Sequence, residues 1–406
     1  MTRTSQRLRR LESLSVVILF LSLISLPAAR NVLGPPAPSM STENRVPHAM
    51  PPLALKGGVL RSFPACFDDF YNDHFGFRSL LAGWLQVAQV RWLKISSTPK
   101  VILGKKGWLY FTDMPPGNDE AMRPFTSEQL ARWQHLLEAR RDWLAARGIR
   151  YLFVIAPDKQ SIYPEYLPQA CQRRQGGGPR RDQLLAHLRA HSDLVVLDLA
   201  EPLRQAKSHE RVYHQTDSHW NARGAHVAYR QIVTALAAWF PGMEPVPRGA
   251  FDEVSRQCIG GDCAMLLNLH ERITEESLEL VARTPPRARP TDPNVPWPLP
   301  PWWPRADLEQ PDRRLPRAVI FRDSFAGPLI PFLSEHFQRI VYVWQGYPVF
   351  DRRLIEQERP DVVIQEMVER KLTYPDLKGF GPLSAPDGDQ LCQTPEAWIQ
   401  LLRNAH

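Results

Sequence analysis

The chain has 406 residues, of which 43% are apolar and 23% charged. These values exclude an intrinsically disordered protein and allow one large or two modest domains. The net charge of +7 is modest, and four arginines among the first ten residues account for part of it. No basic run alternates with aromatic residues, so the sequence argues against nucleic-acid binding.

The N-terminus, residues 1–30, is predicted to direct export. Four arginines precede an apolar segment at residues 13–29, which is the pattern of a signal peptide or signal anchor. Pro27-Ala28-Ala29 is a poor match to a small-x-small cleavage site, which favours an anchor in the inner membrane. The segment is shorter than the ~20 residues of a full span. Both versions place the rest of the chain outside the cytoplasm, and a cytosolic chain with an apolar first helix is the remaining alternative.

Residues 31–60 are rich in proline, serine and small side chains and are predicted to form a tether. We assign residues 61–406 to one domain, which begins with a helical stretch at about 64–93. There are five cysteines in the chain, and export permits disulfides between them. Cys258 and Cys263 flank a Gly-Gly turn, so a disulfide closing this small loop is one possibility. Their spacing fits no zinc motif, and no metal or cofactor is expected.

The next elements alternate between strand and helix patterns. A hairpin is predicted at 101–111, with its turn at Lys105-Lys106-Gly107. Thr126 opens a capping box for a helix that ends near Gly148, and another helix is predicted near 180–191. Continuous apolar runs of the kind found in buried parallel strands occur at 151–157, 194–200, 318–322, 339–344 and 361–367. The alternation predicts an α/β fold, a three-layer α/β/α sandwich with a parallel central sheet.

Residues 285–316 interrupt this alternation with eleven prolines. Proline cannot donate to a central strand or continue a helix, so we predict a long loop there. Trp297, Trp302 and Trp303 give the loop an aromatic surface. Two interpretations stay open for these side chains, packing against the domain or a lip on which sugars stack.

Ser324 follows the predicted strand at 318–322, and a helical pattern follows it at 327–336. Sites in parallel α/β sheets form at the carboxyl ends of the strands. A serine there is either a helix cap or a nucleophile whose own N–H and a neighbouring N–H stabilise an oxyanion.

Asp217 and His219 lie in the stretch DSHW, just before a helix that Asn221 is predicted to cap. In an extended turn, side chains two residues apart point the same way, so the carboxylate can reach Nδ1 of the imidazole. Nε2 is then directed towards a distant serine, as in a Ser-His-Asp triad. The alternative is a capping aspartate beside a surface histidine.

DSHW, RDSF, GWLYF, YNDHFGFR, PDKQSIYPEYLP and VVIQEMVER all occur in this chain. With them, residues 43–375 resemble the alginate O-acetyltransferase family, the AlgJ/AlgX-like branch of the SGNH-hydrolase superfamily. The resemblance implies Ser324 as nucleophile, His219 as base and Asp217 as its partner. It also implies acetyl transfer in the periplasm onto an exported polysaccharide, with a membrane-bound O-acyltransferase as the acetyl donor.

Two positions depart from the superfamily pattern. Arg322 stands where a glycine usually precedes Asp-Ser, and the acid lies two rather than three residues before the histidine. Arg322 is a candidate for binding an oxyanion or an acidic sugar, or for a salt bridge. Glu366 and Arg370, beyond the last strand, either line the substrate site or form structural ion pairs.

Three functions remain open from the sequence. The first is a polysaccharide O-acetyltransferase that works through an acyl-serine. A periplasmic carbohydrate acetyl esterase would use the same triad with water as acceptor. A non-catalytic scaffold of a polysaccharide secretion complex would need none of the three residues.

Overall fold

The computed structural model of the chain describes residues 3–33, 48–52, 59–112, 123–174, 180–296, 299, 303–344 and 350–373. The chain divides into two compact units, one reaching to Ser97 and the other beginning at Thr98. Most of the predicted tether lies outside the described residues. Residues 61–97, which we assigned to the main domain, lie in the first unit.

The first unit is helical, with α1 at Arg3–Leu33, α2 at Val59–Asp73 and α3 at Arg78–Ala88. A π-helical turn, Gln89–Leu93, continues α3. The helical stretch predicted over about 64–93 is confirmed, and it is divided between α2 and α3 around Gly76, a poor helix former. No helix among the described residues is both long enough and apolar enough to cross a membrane.

The second unit contains the remaining strands and helices. Its strands are β1 Val101–Leu103, β2 Leu109–Phe111, β3 Arg150–Ala156, β4 Val196–Asp198, β5 Phe251–Ile259, β6 Thr274–Ala282, β7 Arg289–Pro290, β8 Arg305–Glu309, β9 Arg317–Arg322, β10 Arg339–Trp344 and β11 Val362–Val368. Its helices are α4 Ser127–Ala145, α5 Lys159–Ile162, α6 Gln169–Arg174, α7 Arg180–His191, α8 Ala200–Lys207, α9 Ala222–Ala237, α10 Asp262–Leu266, α11 Ile330–Leu333 and α12 Arg352–Glu358.

The central sheet has seven strands in the order β4-β3-β11-β9-β10-β8-β7. The five predicted strands are parallel to one another, whereas β8 pairs antiparallel with β10 and β7 antiparallel with β8. The sheet is thus mixed, and the prediction of a wholly parallel sheet is corrected. Both added strands come from the segment 285–316 that we predicted to be a loop. The prolines do not prevent this, because β8 itself contains none and Pro290 lies in the outermost strand.

Alternate residues of the central strands face two separate cores, as expected for helices on both sides of a sheet. Leu152, Val154 and Ile320 belong to a core that includes residues of α8, α9 and α11. Phe153 and Val319 belong to the other core, with residues of α4, α7 and α12. The continuous apolar runs in the sequence are therefore explained by burial on both faces.

Several local predictions are confirmed. The Thr126 hydroxyl accepts from the N–H of Gln129, whose side chain accepts from the N–H of Thr126, which completes the capping box. Gly148 has a φ of +72°, as expected of the residue that ends a helix. The hairpin at 101–111 has its turn at Lys105–Gly107. The strand predicted at 194–200 is shorter, since β4 is an edge strand that pairs only with β3.

The disulfide considered between Cys258 and Cys263 is not formed, and both thiols are free. Cys258 lies in β5, opposite Glu275 of β6. The Gly-Gly turn leads directly into α10, where Cys263 is fully buried. Gly261 of this turn instead lies against Asp217, in the candidate site described below.

Candidate active site

The carboxyl ends of three neighbouring strands bring polar side chains to one edge of the sheet. β3 is followed by Asp158, β9 by Ser324 and β11 by Arg370. The loop that carries Asp217 and His219 reaches the same edge, because His219 hydrogen-bonds Ser324 across 105 positions of the sequence. This edge is where parallel α/β proteins place their sites.

Asp217, His219 and Ser324 form a continuous hydrogen-bonded relay. The Nδ1 atom of His219 lies 2.7 Å from Oδ1 of Asp217, and its Nε2 lies 2.7 Å from Oγ of Ser324. Because the carboxylate accepts at Nδ1, the neutral ring carries its proton there and Nε2 accepts from the serine hydroxyl. The side chains of His219 and Asp217 are 20% and 23% exposed, so the relay is open on one side. This is the arrangement that activates a serine as a nucleophile.

The pKa shifts of Asp217 and His219 agree with an ionised carboxylate beside the imidazole. Burial raises the pKa of the Asp217 carboxyl, but the hydrogen bond and charge of His219 outweigh burial and hold it well below its ordinary value. Burial lowers the pKa of the His219 imidazole, but the hydrogen bond and charge of Asp217, followed by the charge of Asp262, leave it raised. Asp217 therefore stays ionised beside a histidine that is more basic than usual.

Asp217 is held from its far side by the Gly-Gly-Asp turn at the end of β5. The N–H of Asp262 donates to Oδ2 of Asp217 over 2.9 Å, and the N–H of Gly261 donates to Oγ1 of Thr216 over 2.9 Å.

Asp262 is itself a second acid at the site, since its Oδ2 lies 3.5 Å from Nδ1 of His219 and its carboxylate accepts from the N–H and hydroxyl of Ser218. We did not predict roles for Gly261 and Asp262, because we considered the stretch CIGGDC only for its cysteines.

Gly261 permits this contact because it has no side chain. A Cβ at this position would lie 2.3 Å from Cβ of Asp217 and 2.6 Å from its Oδ2. We expect Gly261→Ala to displace the carboxylate and to lower kcat/KM about 100-fold, the scale that a displacement of about 1 Å produces. Steady-state kinetics with an acetyl ester would measure this loss.

Gly249→Ala is the matched control, since a Cβ at Gly249 meets no atom within 4 Å. Circular dichroism of both variants separates a local displacement from unfolding. Equal activity of the two folded variants would show that the turn does not position Asp217.

The main chain of the loop that carries the relay is fixed by two buried side chains. Lys159, only 1% exposed, donates its ammonium to the carbonyls of His214, Gln215 and Asp217 at 3.2, 3.2 and 2.6 Å. Glu275 accepts from the N–H of Gln215 and the hydroxyl of Thr216, both at 2.7 Å.

Saturated buried polar groups of this kind make a loop rigid. Lys159 belongs to the stretch PDKQS, which we used only for the family resemblance. Nothing in the sequence near Glu275 indicated its role.

Ser324 is positioned by its neighbour Asp323, which caps the turn that follows β9. Oδ1 of Asp323 accepts from the N–H of Phe325, and Oδ2 accepts from the N–H of Val368, both at 2.9 Å. The predicted helix at 327–336 is instead a 3-10 turn, Ser324–Leu329, followed by the single turn of α11 and another 3-10 turn. Ser324 is the first residue of that turn, so its N–H has no partner within it. The neighbouring N–H of Phe325, by contrast, is occupied by Asp323.

Arg322 and Glu366 lie inside the protein, 1% and 4% exposed. The Arg322 guanidinium donates to the carbonyls of Trp303 and Asp323 at 2.8 and 3.3 Å. Glu366 accepts from the N–H of Asp323 at 2.9 Å. Burial, followed by the charge of Asp323, raises the pKa of Glu366 well above its ordinary value. Both contacts support the turn that carries Ser324.

Arg370 approaches the relay more closely. Its guanidinium pairs with the carboxylate of Asp158 and lies 5.3 Å from the ring centre of Phe325, which in turn lies 4.7 Å from the imidazole of His219. Trp303 packs against the core, while Trp297 and Trp302 lie outside the described residues. Of the three substrate-binding candidates, Arg370 is therefore the one that contacts the same aromatic ring as His219.

Asp217, His219 and Asp262 have potential metal-ligand atoms within 4.8 Å of one another. The closest of these contacts is the Asp217–His219 hydrogen bond itself. Each carboxylate also accepts from a main-chain N–H, Asp217 from His219 and Asp262 from Ser218. These hydrogen bonds therefore explain why the potential ligand atoms of the three side chains lie so close together.

The chain is similar to known proteins over part of its length. Residues 101–293 match the family model described as "SGNH hydrolase-like domain, acetyltransferase AlgX". Asp217 and His219 lie within the match, and Ser324 lies beyond it. The protein named "Probable alginate O-acetylase AlgJ" from Pseudomonas fluorescens is 33% identical over 143 residues, and the one from Azotobacter vinelandii is 28% identical over 175 residues. These matches cover 34% and 42% of this chain and the same shares of the relatives, well under two thirds of their length.

Among solved structures, PatB1 from Bacillus cereus is similar with a TM-score of 0.51 and 14% identity, over 67% of this chain and 96% of that chain. This likeness shows the fold alone. The O-acetyltransferase domain of Pseudomonas putida AlgJ is 21% identical, over 76% of this chain and 100% of that one, with a TM-score of 0.46. The family model and the two relatives confirm the resemblance to the alginate O-acetyltransferase family, and residues 101–293 are similar to the SGNH hydrolase-like acetyltransferase domain that this model describes.

Proposed function

We propose that the protein is an O-acetyltransferase that moves an acetyl group, through an acyl-serine, onto hydroxyl groups of an exported polysaccharide. The observation that carries the proposal is the relay from Asp217 through His219 to Ser324, with 2.7 Å at both steps. The names of the relatives, alginate O-acetylases, support acetyl as the group and an alginate-like polymer as the acceptor.

The first half of the reaction loads the serine. His219 Nε2 takes the proton of Ser324 while Oγ attacks the acetyl carbonyl of the donor ester. We assign the N–H of Ser324, the first residue of its turn, as the donor to the developing oxyanion. The tetrahedral intermediate collapses, the donor oxygen leaves with the proton from His219, and an acetyl-serine remains. Asp217 keeps the imidazole oriented and stabilises its positive charge.

The second half transfers the acetyl group. A sugar hydroxyl gives its proton to His219 Nε2 and attacks the acetyl-serine, and the returning proton regenerates the Ser324 hydroxyl. Water competes for the same intermediate, so transfer requires an oriented acceptor. Effective molarities of about 10⁵ M or more for well-placed groups are sufficient for transfer to exceed hydrolysis.

We further propose that the protein works in the periplasm, held at the inner membrane by residues 13–29, and receives acetyl groups from a membrane-bound O-acyltransferase. The arginine-rich start and the following apolar segment support export. The leucines, isoleucines and valines of this segment are about half exposed or more on α1.

The proposal is tested with the purified chain, an activated acetyl ester, and uronate or glucan oligosaccharides as acceptors. Acetylated oligosaccharide, detected by mass spectrometry and absent with Ser324→Ala, is the expected result. Acetate release that no sugar changes would support an esterase instead. An inactive protein whose Ser324→Ala variant still supports polymer acetylation in cells would support the scaffold.

The pH dependence of the reaction follows from the state of His219. The imidazole must be neutral to accept the serine proton, and its pKa is raised above its ordinary value of 6.5. We therefore expect kcat/KM to rise with pH through an apparent pKa above 6.5 and to be low when His219 is protonated. A pH profile of acetyl-ester turnover measures this, and a limb at or below 6.5 would contradict the stabilisation of the imidazolium by Asp217.

A further inference from the structure

Helix α3 and the π-helical turn after it present apolar side chains to solvent. Leu81 and Leu85 are 55% and 58% exposed, and Trp92 and Leu93 are 72% and 62% exposed. Leu80, Trp84 and Ile95 are also at least half exposed. We call this surface, made of the exposed apolar side chains between Leu80 and Ile95, the α3 apolar face.

The exposed side of this helix is apolar, which is unusual for a surface in contact with water. Leu81, Leu85 and Trp92 follow the spacing of one helix face and are more exposed than the intervening residues 86–90, two of which are glutamines. A contiguous exposed apolar face of this kind marks an interaction site.

The charges within the segment that carries the α3 apolar face all have one sign. Residues 78–97 contain the cations Arg78, Arg91 and Lys94 and no aspartate or glutamate. Clustered cations bind anionic lipid headgroups, while leucine enters the acyl boundary and tryptophan occupies the interface.

We propose that the α3 apolar face binds the surface of an anionic lipid bilayer, with the helix lying in the plane of the membrane. At 1.5 Å per residue, residues 78–93 extend about 24 Å, less than the thickness of the hydrocarbon core. Cations occur at both ends of this segment, which also favours an in-plane orientation. The contact is independent of the acetyl-transfer reaction and additional to any anchoring by α1.

The test measures the depth of α3 itself, so that attachment through α1 does not affect the outcome. In the full chain with its native cysteines replaced by serine, a nitroxide is placed at Leu85→Cys or, as the matched control, at Gln86→Cys on the other face. Collisions with oxygen and with a water-soluble nickel chelate are compared, with vesicles of phosphatidylcholine alone and with added phosphatidylglycerol.

With anionic vesicles we expect the oxygen-to-nickel collision ratio at position 85 to rise several-fold above that at position 86. Arg91→Glu/Lys94→Glu is expected to abolish this difference while leaving the circular dichroism and acetyl-ester turnover unchanged. Equal nickel access at both positions in the presence of anionic vesicles would overturn the proposal. Protection of position 85 without vesicles, increasing with protein concentration, would overturn it in favour of a second copy of the chain.

Discussion

Replacing Ser324 by alanine is expected to reduce acetyl transfer by at least about 10⁴-fold, because removing the nucleophile of a triad leaves only the contributions of binding and the oxyanion donor. The substitution removes the hydroxyl that lies 2.7 Å from His219 and creates no clash. The hydrogen bonds of Asp323 that shape the turn involve main-chain groups of Phe325 and Val368 and persist. The fold should therefore be unchanged.

Mass spectrometry of the protein after brief exposure to an activated acetyl ester gives the most direct measurement. We expect an acetyl adduct on Ser324 in the native chain and none at this site in Ser324→Ala. Ser208→Ala is the control, since Ser208 is an exposed serine whose hydroxyl only donates to the carbonyl of Gln205. Transfer that continues in folded Ser324→Ala would place the nucleophile elsewhere.

Asp217→Asn is expected to cost about 10⁴-fold in kcat, because an amide at this position favours the wrong imidazole tautomer and no longer stabilises the imidazolium. The pKa of His219 should fall, since the hydrogen bond and charge of Asp217 raise it. The rise of kcat/KM should then shift to lower pH than in the native chain. Rate measurements across pH test the size of the loss and the direction of the shift.

Asp262→Asn is the informative comparison for this variant. Asp262 also lies near Nδ1, at 3.5 Å, but its carboxylate accepts its short hydrogen bonds from Ser218. We expect a smaller loss of kcat and a shift of the pH profile in the same direction. A loss as large as that of Asp217→Asn would make Asp262 the principal partner of the histidine.

Much of the central fold was predictable because its signals are local. Each of the five apolar runs became a parallel strand, since strands covered by helices on both faces must be apolar at every position. The capping box at Thr126 and the cap at Asn221 depend on residues within one helical turn.

The strands β7 and β8 were not predictable, because β8 pairs with the distant β10, β7 pairs with β8, and prolines surround both. The break between α2 and α3 was missed because the apolar spacing continues on both sides of it.

The residues of the candidate site also divide into those that local sequence patterns predicted and those that they did not. Asp217 and His219 were predicted together, because a spacing of two residues in a turn brings their side chains into contact whatever the rest of the fold does. The position of Ser324 after a strand was also readable. The roles of Gly261, Asp262 and Glu275 were not, since they reach the relay from a hairpin more than 40 positions away in the sequence.

The sequence by itself thus determined the type of sheet-and-helix layering and the three residues proposed for the chemistry, because periodicity and short spacings act within a few residues. Only the tertiary structure decided that Ser324 lies 2.7 Å from His219, that the Gly-Gly-Asp turn supports Asp217, and that Arg322 and Glu366 are buried. Those contacts depend on where separate strand ends and hairpins meet, and strand pairing over long sequence separations is not encoded in any local pattern.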